Sequence, residues 1–260
     1  MVANDGRGID SHFCITRKNR IMTVQTRRIV DPPTLAREFA KDFAAWVEKQ
    51  NHDKISVALS GGSTPKILFE LWASEYADSV DWSRLHFFWG DERCVPPNDS
   101  ESNYGVAKAL FFDKVRVPDE NIHRVHGEAD PEQERVRYEE EIRSIVSSDE
   151  NGIPRFDLML LGMGDDGHTA SIFPYQRELL QSPRICEVAQ HPVSGQTRIT
   201  LTGPVINASA KTVFLVTGAG KKEVLADVIH HKGAFETYPA SYITEGDVVF
   251  YVDEAAAEEL

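Results

Sequence analysis

The run Leu161-Gly-Met-Gly-Asp-Asp-Gly-His-Thr-Ala-Ser-Ile-Phe-Pro174 sets His168 among two aspartates and three glycines, just past an apolar stretch. An imidazole titrates near neutral pH, so it can take a proton from water and return it to a leaving group. Either Asp165 or Asp166 could orient the ring and raise its basicity. The assignment takes Asp166 with His168 as the catalytic pair, and Asp165 and Gly164 as support. A lone loop histidine is usually solvated or structural; these surroundings favour chemistry instead.

A second stretch, Leu59-Ser-Gly-Gly-Ser-Thr-Pro-Lys66, offers something to act on. Ser60, Gly61, Gly62, Ser63 and Thr64 end an apolar run and open an amphipathic one. Backbone N–H groups and hydroxyls would meet there at the positive end of a helix dipole, which suits a phosphate. Neither GxxxxGK[ST] nor GxGxxG is present. The competing reading is a plain turn, with Thr64 as cap and Pro65 at the first helical position.

Three cations accompany this loop. Arg93 closes Trp89-Gly-Asp-Glu-Arg93, with Asp91 as possible support, although such a run is more often a surface ion-pair cluster. Arg198 stands in the β-branched run Thr197–Thr202, where a guanidinium is costly without an anion. Lys221 follows Gly218-Ala-Gly220 at a helix start, a poor place for a cation unless an anion is near. Three other features rank low. His123 and His126 read as solvated loop residues, His230 and His231 suit a helix end, and Cys94 reads as a spectator.

Elements must hold these residues together. Ile55–Leu59, Leu85–Trp89, Phe156–Leu161, Thr212–Thr217 and Val248–Val252 are short, nearly unbroken apolar runs, as buried parallel strands show. Helices are predicted over 34–50, from Thr64, from about Tyr104, from Asp130-Pro131 and after Gly220. In the first, Leu35, Phe39, Phe43, Trp46 and Val47 form one stripe. Strands alternating with helices predict an α/β, Rossmann-like fold, a single doubly wound, mostly parallel sheet with helices on both faces. Ligands bind such sheets at the carboxyl ends of strands, where four runs here finish in glycine-rich or charged turns. Residues 1–22 are polar and read as a disordered extension, which leaves 23–260 as one domain.

Bulk properties exclude several classes. The chain has 260 residues, 41% hydrophobic and 27% charged, which fits a globular protein and not a disordered one. A net charge of −13 discourages nucleic acid and anionic membranes, yet tolerates a small anion where cations are gathered locally. No apolar run nears the ~18 residues of a spanning helix. Cys14, Cys94 and Cys186 are far apart without CxxC spacing, against disulfides or structural zinc and in keeping with the cytoplasm. Neither metal nor cofactor is expected. A monomer or small homo-oligomer is expected.

In this order, SGGSTP, WGDER, LGMGDDGHTASIFP, RITLT and GAGKK resemble the 6-phosphogluconolactonase family, from Leu59 to Lys222. The GMGxDGHxASxFP run is the specific element; the others also occur in the related glucosamine-6-phosphate deaminase/isomerases. That relative carries Glu-Pro where this chain has Phe173-Pro174, and Asp-Glu-Tyr where it has Asp91-Glu92-Arg93. Its ring-opening chemistry needs the carboxylate that Phe173 replaces. The resemblance implies His168 as general base, and a phosphorylated sugar lactone held by the Ser60–Thr64 loop with Arg198 and Lys221, with Arg93 assisting. An amino-sugar-phosphate deaminase and a non-catalytic sugar-phosphate sensor are the rival readings.

Overall fold

The computed structural model describes residues 9–15 and 21–260. β1 (Ile9–Ile15) pairs antiparallel with β2 (Ile21–Ile29). The extension expected over 1–22 lies partly outside the described residues; inside them, Ile9–Ile15 is an edge strand. α1 (Pro32–Glu48) starts two residues earlier than its stripe predicts, because Asp31 caps it by accepting from the Thr34 N–H at 2.8 Å. β3 (Ile55–Leu59), α2 (Ser63–Glu75) and β4 (Leu85–Trp89) follow.

The chain then leaves the main sheet. β5 (Asp91–Arg93) is followed by α3 (Asn103–Ala107) and α4 (Pro131–Ile145), which Asp130 caps by accepting from Gln133. β6 (Leu158–Leu161) returns to the main sheet, while β7 (Cys186–Gln190) and β8 (Thr197–Leu201) do not. α5 (Gly203–Ala208), β9 (Lys211–Val216), α6 (Lys222–His230) and β10 (Asp247–Asp253) complete the order.

The main sheet runs β1-β2-β10-β9-β6-β3-β4, parallel except for β1. The doubly wound, mostly parallel sheet read from the sequence is present, with helices on both faces. Successive side chains point to opposite faces. Val57, Phe87, Leu158, Val213 and Val249 therefore meet α1 and α2, while Ala58, Phe88, Met159, Phe214 and Phe250 meet α4, α5 and α6. Burial on both sides explains why these strands read as unbroken apolar runs.

A second sheet, β5-β8-β7, is antiparallel and packs on the α4 face. Gly90 joins the two sheets. Its N–H donates to the Leu59 carbonyl at 2.8 Å, and its carbonyl accepts from the Leu201 N–H at 2.8 Å. The order β6-β3-β4 puts the switch in winding between β3 and β6. The loops after those strands, at Ser60 and Gly162, flank the crevice where doubly wound folds take ligands.

Candidate active site

The loop after β3 makes an uncapped helix start. Gly62 has φ +118°, a conformation glycine adopts freely, and stands at the N-cap without a side-chain acceptor for the first turn of α2. Thr64 is not the cap that the sequence suggested. Its hydroxyl shares a hydrogen bond with Thr217 at 2.9 Å, which ties the loop after β3 to the loop after β9. Gly61 has no room for a side chain, since a Cβ would stand 1.9 Å from Asn103 Oδ1. Asn103, in turn, donates through Nδ2 to the Asp91 carbonyl at 2.9 Å.

The Asp91-Glu92-Arg93 run is no surface cluster. Asp91 and Glu92 are 6% and 1% exposed. Glu92 accepts from the N–H groups of Arg93, Asn103 and Tyr104 at 2.7–2.8 Å and from the Ser102 hydroxyl at 3.2 Å. One carboxylate thus fixes the end of β5 and the start of α3. Asp91 accepts from the Ser171 hydroxyl at 2.6 Å, and Arg198 donates to that same hydroxyl at 3.3 Å. Arg198 and Asp91 are 3.9 Å apart.

Arg93 and Arg198 are directly opposed residues of β5 and β8. Like charges so placed repel, unless an anion lies between or beside them. Arg93 donates to the Glu101 carbonyl at 2.6 Å. Burial lowers the pKa of Arg198, opposed by Asp91, and its Nε has no hydrogen-bond partner. The Arg198 guanidinium also lies 5.7 Å from the centroid of Phe173.

His168 is held on three sides. Its Nδ1 lies 2.6 Å from Asp166 Oδ1, and its backbone N–H donates to the same oxygen at 3.2 Å. Burial pushes the Asp166 carboxyl up, but the His168 bond outweighs this and holds it below the ordinary aspartate value. A Cβ on Gly164 would stand 2.1 Å from the ring Nδ1, so the ring packs directly on that backbone. The buried Phe173 ring is 4.8 Å away, centroid to centroid. With Nδ1 occupied by a carboxylate, Nε2 is the nitrogen left for the cavity. Within the same turn Ala170 takes φ +48°, an unfavourable conformation for a residue with a Cβ.

Asp165, by contrast, pairs with Lys221. Lys221 ends a short 3₁₀ turn, Ala219–Lys221. Asp253 anchors that turn by accepting from the Gly218 N–H at 2.9 Å and from Ala256 at 2.8 Å. The two aspartates that the sequence could not tell apart thus contact different partners, Asp166 the ring and Asp165 the lysine.

The Ser60–Thr64 loop, Asp91, Arg93, Gly164, His168, Arg198 and Lys221 line one cavity of about 260 Å³. Asp165 and Asp166 stand one step behind. Sequence reasoning missed Asn103, Ser171 and Thr217, which hold the loops in register; their residue types carry no chemical signal. It also misplaced His123, which is buried and bonded to Glu141. Cys94 is half-buried, and burial lifts its thiol to about 11, too high for a nucleophile at neutral pH. Among the described residues no group of three or more His, Cys, Asp or Glu is placed to hold a metal ion, and no helix is long and apolar enough to cross a membrane.

The sequence profile of the family described as glucosamine-6-phosphate isomerases/6-phosphogluconolactonase matches residues 30–251. The chain is 42% identical over 226 residues to the 6-phosphogluconolactonase of Haemophilus influenzae, covering 86% of this chain and 94% of that one. It is 45% identical over 172 residues to the 6-phosphogluconolactonase of Treponema pallidum, covering 66% of this chain and 71% of that one. The structure of the 6-phosphogluconolactonase from Trypanosoma brucei superposes with a TM-score of 0.82 at 28% identity, over 92% of this chain and 99% of that one.

Proposed function

The chain belongs to the glucosamine-6-phosphate isomerase/6-phosphogluconolactonase family, and we propose that it hydrolyses 6-phospho-D-glucono-1,5-lactone to 6-phospho-D-gluconate. One observation carries the reading: His168, bonded to Asp166, lines the same cavity of about 260 Å³ as the Ser60–Thr64 loop, Arg198 and Lys221. His168 Nε2 takes a proton from water as the oxygen attacks the lactone carbonyl. Asp166, bonded at Nδ1, keeps the ring in the tautomer that leaves Nε2 free and stabilises the imidazolium that forms. Backbone N–H groups of the glycine-rich turns hold the tetrahedral oxyanion. The intermediate collapses, the C–O bond to the ring oxygen breaks, and His168 returns the proton to that oxygen.

Phosphate recognition sits away from the reacting carbon. The first-turn N–H groups of α2, Arg198 and Lys221 hold the phosphate, and Arg93 assists on the phosphate or the lactone. Binding energy gathered there fixes the carbonyl against His168. We place the reaction in the cytoplasm, on a monomer or small homo-oligomer, without a cofactor. An amino-sugar-phosphate deaminase needs a further acid/base group, and the ring beside His168 belongs to Phe173, which has none. A sensor would need the cradle but not the His168–Asp166 pair.

The test is acid release from freshly made 6-phosphogluconolactone, corrected for spontaneous hydrolysis. A rate no greater than the uncatalysed one would overturn the reading. Ammonia released from glucosamine 6-phosphate would replace it with the deaminase.

A further inference from the structure

A cavity of about 430 Å³ opens at the other end of the strands. The five-residue strand β3 separates it from the candidate active site, on the order of 16 Å at ~3.3 Å per residue. Lys54 before β3, His86 on β4 and Arg155 before β6 line it, with His52, Asp53 and Asp157. Asp157 is already engaged, since one oxygen accepts from the Ser56 N–H and hydroxyl at 2.8 Å and the other lies 3.4 Å from His52. Among the described residues neither Lys54 nor Arg155 has a carboxylate within ion-pair distance, in a chain with net charge −13. Both side chains line the same cavity.

His86 gives this cavity a directed proton site. Its Nδ1 is 3.0 Å from His123 Nε2, with the rings only 7° from coplanar, and His123 Nδ1 is 2.9 Å from Glu141. Burial pushes the Glu141 carboxyl up, but His123 and Arg137 outweigh it and keep the group ionised. The donors then follow one direction: His123 Nδ1–H donates to Glu141, and His86 Nδ1–H donates to His123 Nε2. His86 Nε2 is left as a bare acceptor. Burial, His123 and Lys54 hold His86 below its ordinary pKa, with Glu120 opposing. A proton arriving at Nε2 is supported through His123 by the Glu141 charge.

We propose that this cavity binds a small phosphomonoester dianion between Lys54 and Arg155, and that His86 Nε2 takes up a proton to donate to it. Two fixed cations and one inducible donor match a dianion with three terminal oxygens. The volume leaves room for the organic part, which bare phosphate would not fill. A dianion raises the pKa of His86, so binding takes up a proton and tightens as pH falls toward the phosphate's own second pKa of about 6, below which the dianion is lost.

The experiment is calorimetric titration of the full chain with glycerol 3-phosphate and with inorganic phosphate, each in two buffers of different ionisation enthalpy. Wild type should show two sites for the monoester. Lys54→Ala with Arg155→Ala should weaken one site by roughly 10-fold or more while leaving lactone hydrolysis intact, which also shows that the variant folds. Arg198→Ala should weaken only the other site. His86→Gln should abolish buffer-dependent proton uptake at the first. A single site lost with Arg198→Ala, two sites unchanged in the Lys54/Arg155 variant, or proton uptake unaffected by His86→Gln each overturns the proposal. Tighter binding of inorganic phosphate than of the monoester overturns the ligand class.

Discussion

Two pairs of neighbouring carboxylates serve this molecule in opposite ways. Asp91 and Glu92 are buried and spend their acceptors on backbone and hydroxyl donors from β5, α3 and the Ser171 turn. Asp165 and Asp166 have side chains 76% and 44% exposed, and each meets one ionisable partner, Lys221 or His168. A buried carboxylate with several donors is structural, because removing it strands every donor. An exposed one can tune its partner at little cost to the fold. Adjacent acids therefore do not share a role by virtue of adjacency; what decides is how many groups depend on each.

His168→Ala tests the exposed side most severely. It should lower kcat/KM for the phosphorylated lactone by about 10²–10⁴-fold with the unfolding free energy nearly unchanged. Wild-type turnover in that variant would remove the proposed base. Glu92→Ala attacks the buried side and should show the reverse signature, a loss of roughly 3 kcal/mol or more in chemical denaturation. A loss under about 0.5 kcal/mol would mean that its four donors find other acceptors.

Arg198→Ala sharpens the contrast, because Arg198 touches the buried network yet is assigned to the ligand. The phosphorylated lactone should lose roughly 10- to 100-fold, and the unphosphorylated lactone hardly anything. Lys221→Ala should follow the same pattern more mildly, an ammonium being a point charge without a fork. Equal losses on both lactones would move these residues to the structural side. The smallest effect belongs to Asp166→Ala measured as stability. The native Asp166 pKa is depressed, so its contribution is present above the ordinary aspartate value, about 4, and fades as pH falls through the lower native value. Solvent screening limits it to at most about 1 kcal/mol. Denaturation curves of wild type and variant should converge in acid; a gap that widens there would contradict the assignment.

The sequence disclosed the main sheet well and the small one poorly, for a single reason. Strands such as Ile55–Leu59 are covered on both faces and are apolar throughout. Asp91–Arg93 and Cys186–Gln190 carry polar residues and leave no such run. β2 leaves no apolar run either, since its Thr-Val-Gln-Thr-Arg-Arg stretch is mostly polar, although Val24 and Thr26 are buried. At the site, the residues with conspicuous chemistry were legible from type and position. Asn103, Ser171 and Thr217 were not, since their contacts join segments distant in sequence. The choice between Asp165 and Asp166 rests on where Lys221 lies, which local sequence cannot give.

Gly90 gives the two sheets one residue in common: its N–H is bonded to Leu59 in one and its carbonyl to Leu201 in the other. A local fluctuation that frees either bond must shear both ladders at once, beside the cradle on one side and beside Arg198 on the other. The Gly90 and Leu201 amides should thus exchange with deuterium only at the rate set by global unfolding, although they stand within a few residues of an open cleft. Enzyme clefts commonly border the most labile parts of a fold. Here the border is a rivet, and slow exchange at those two amides would mark a site whose spacing is inherited from the whole molecule's cooperativity and is not set by local loop order.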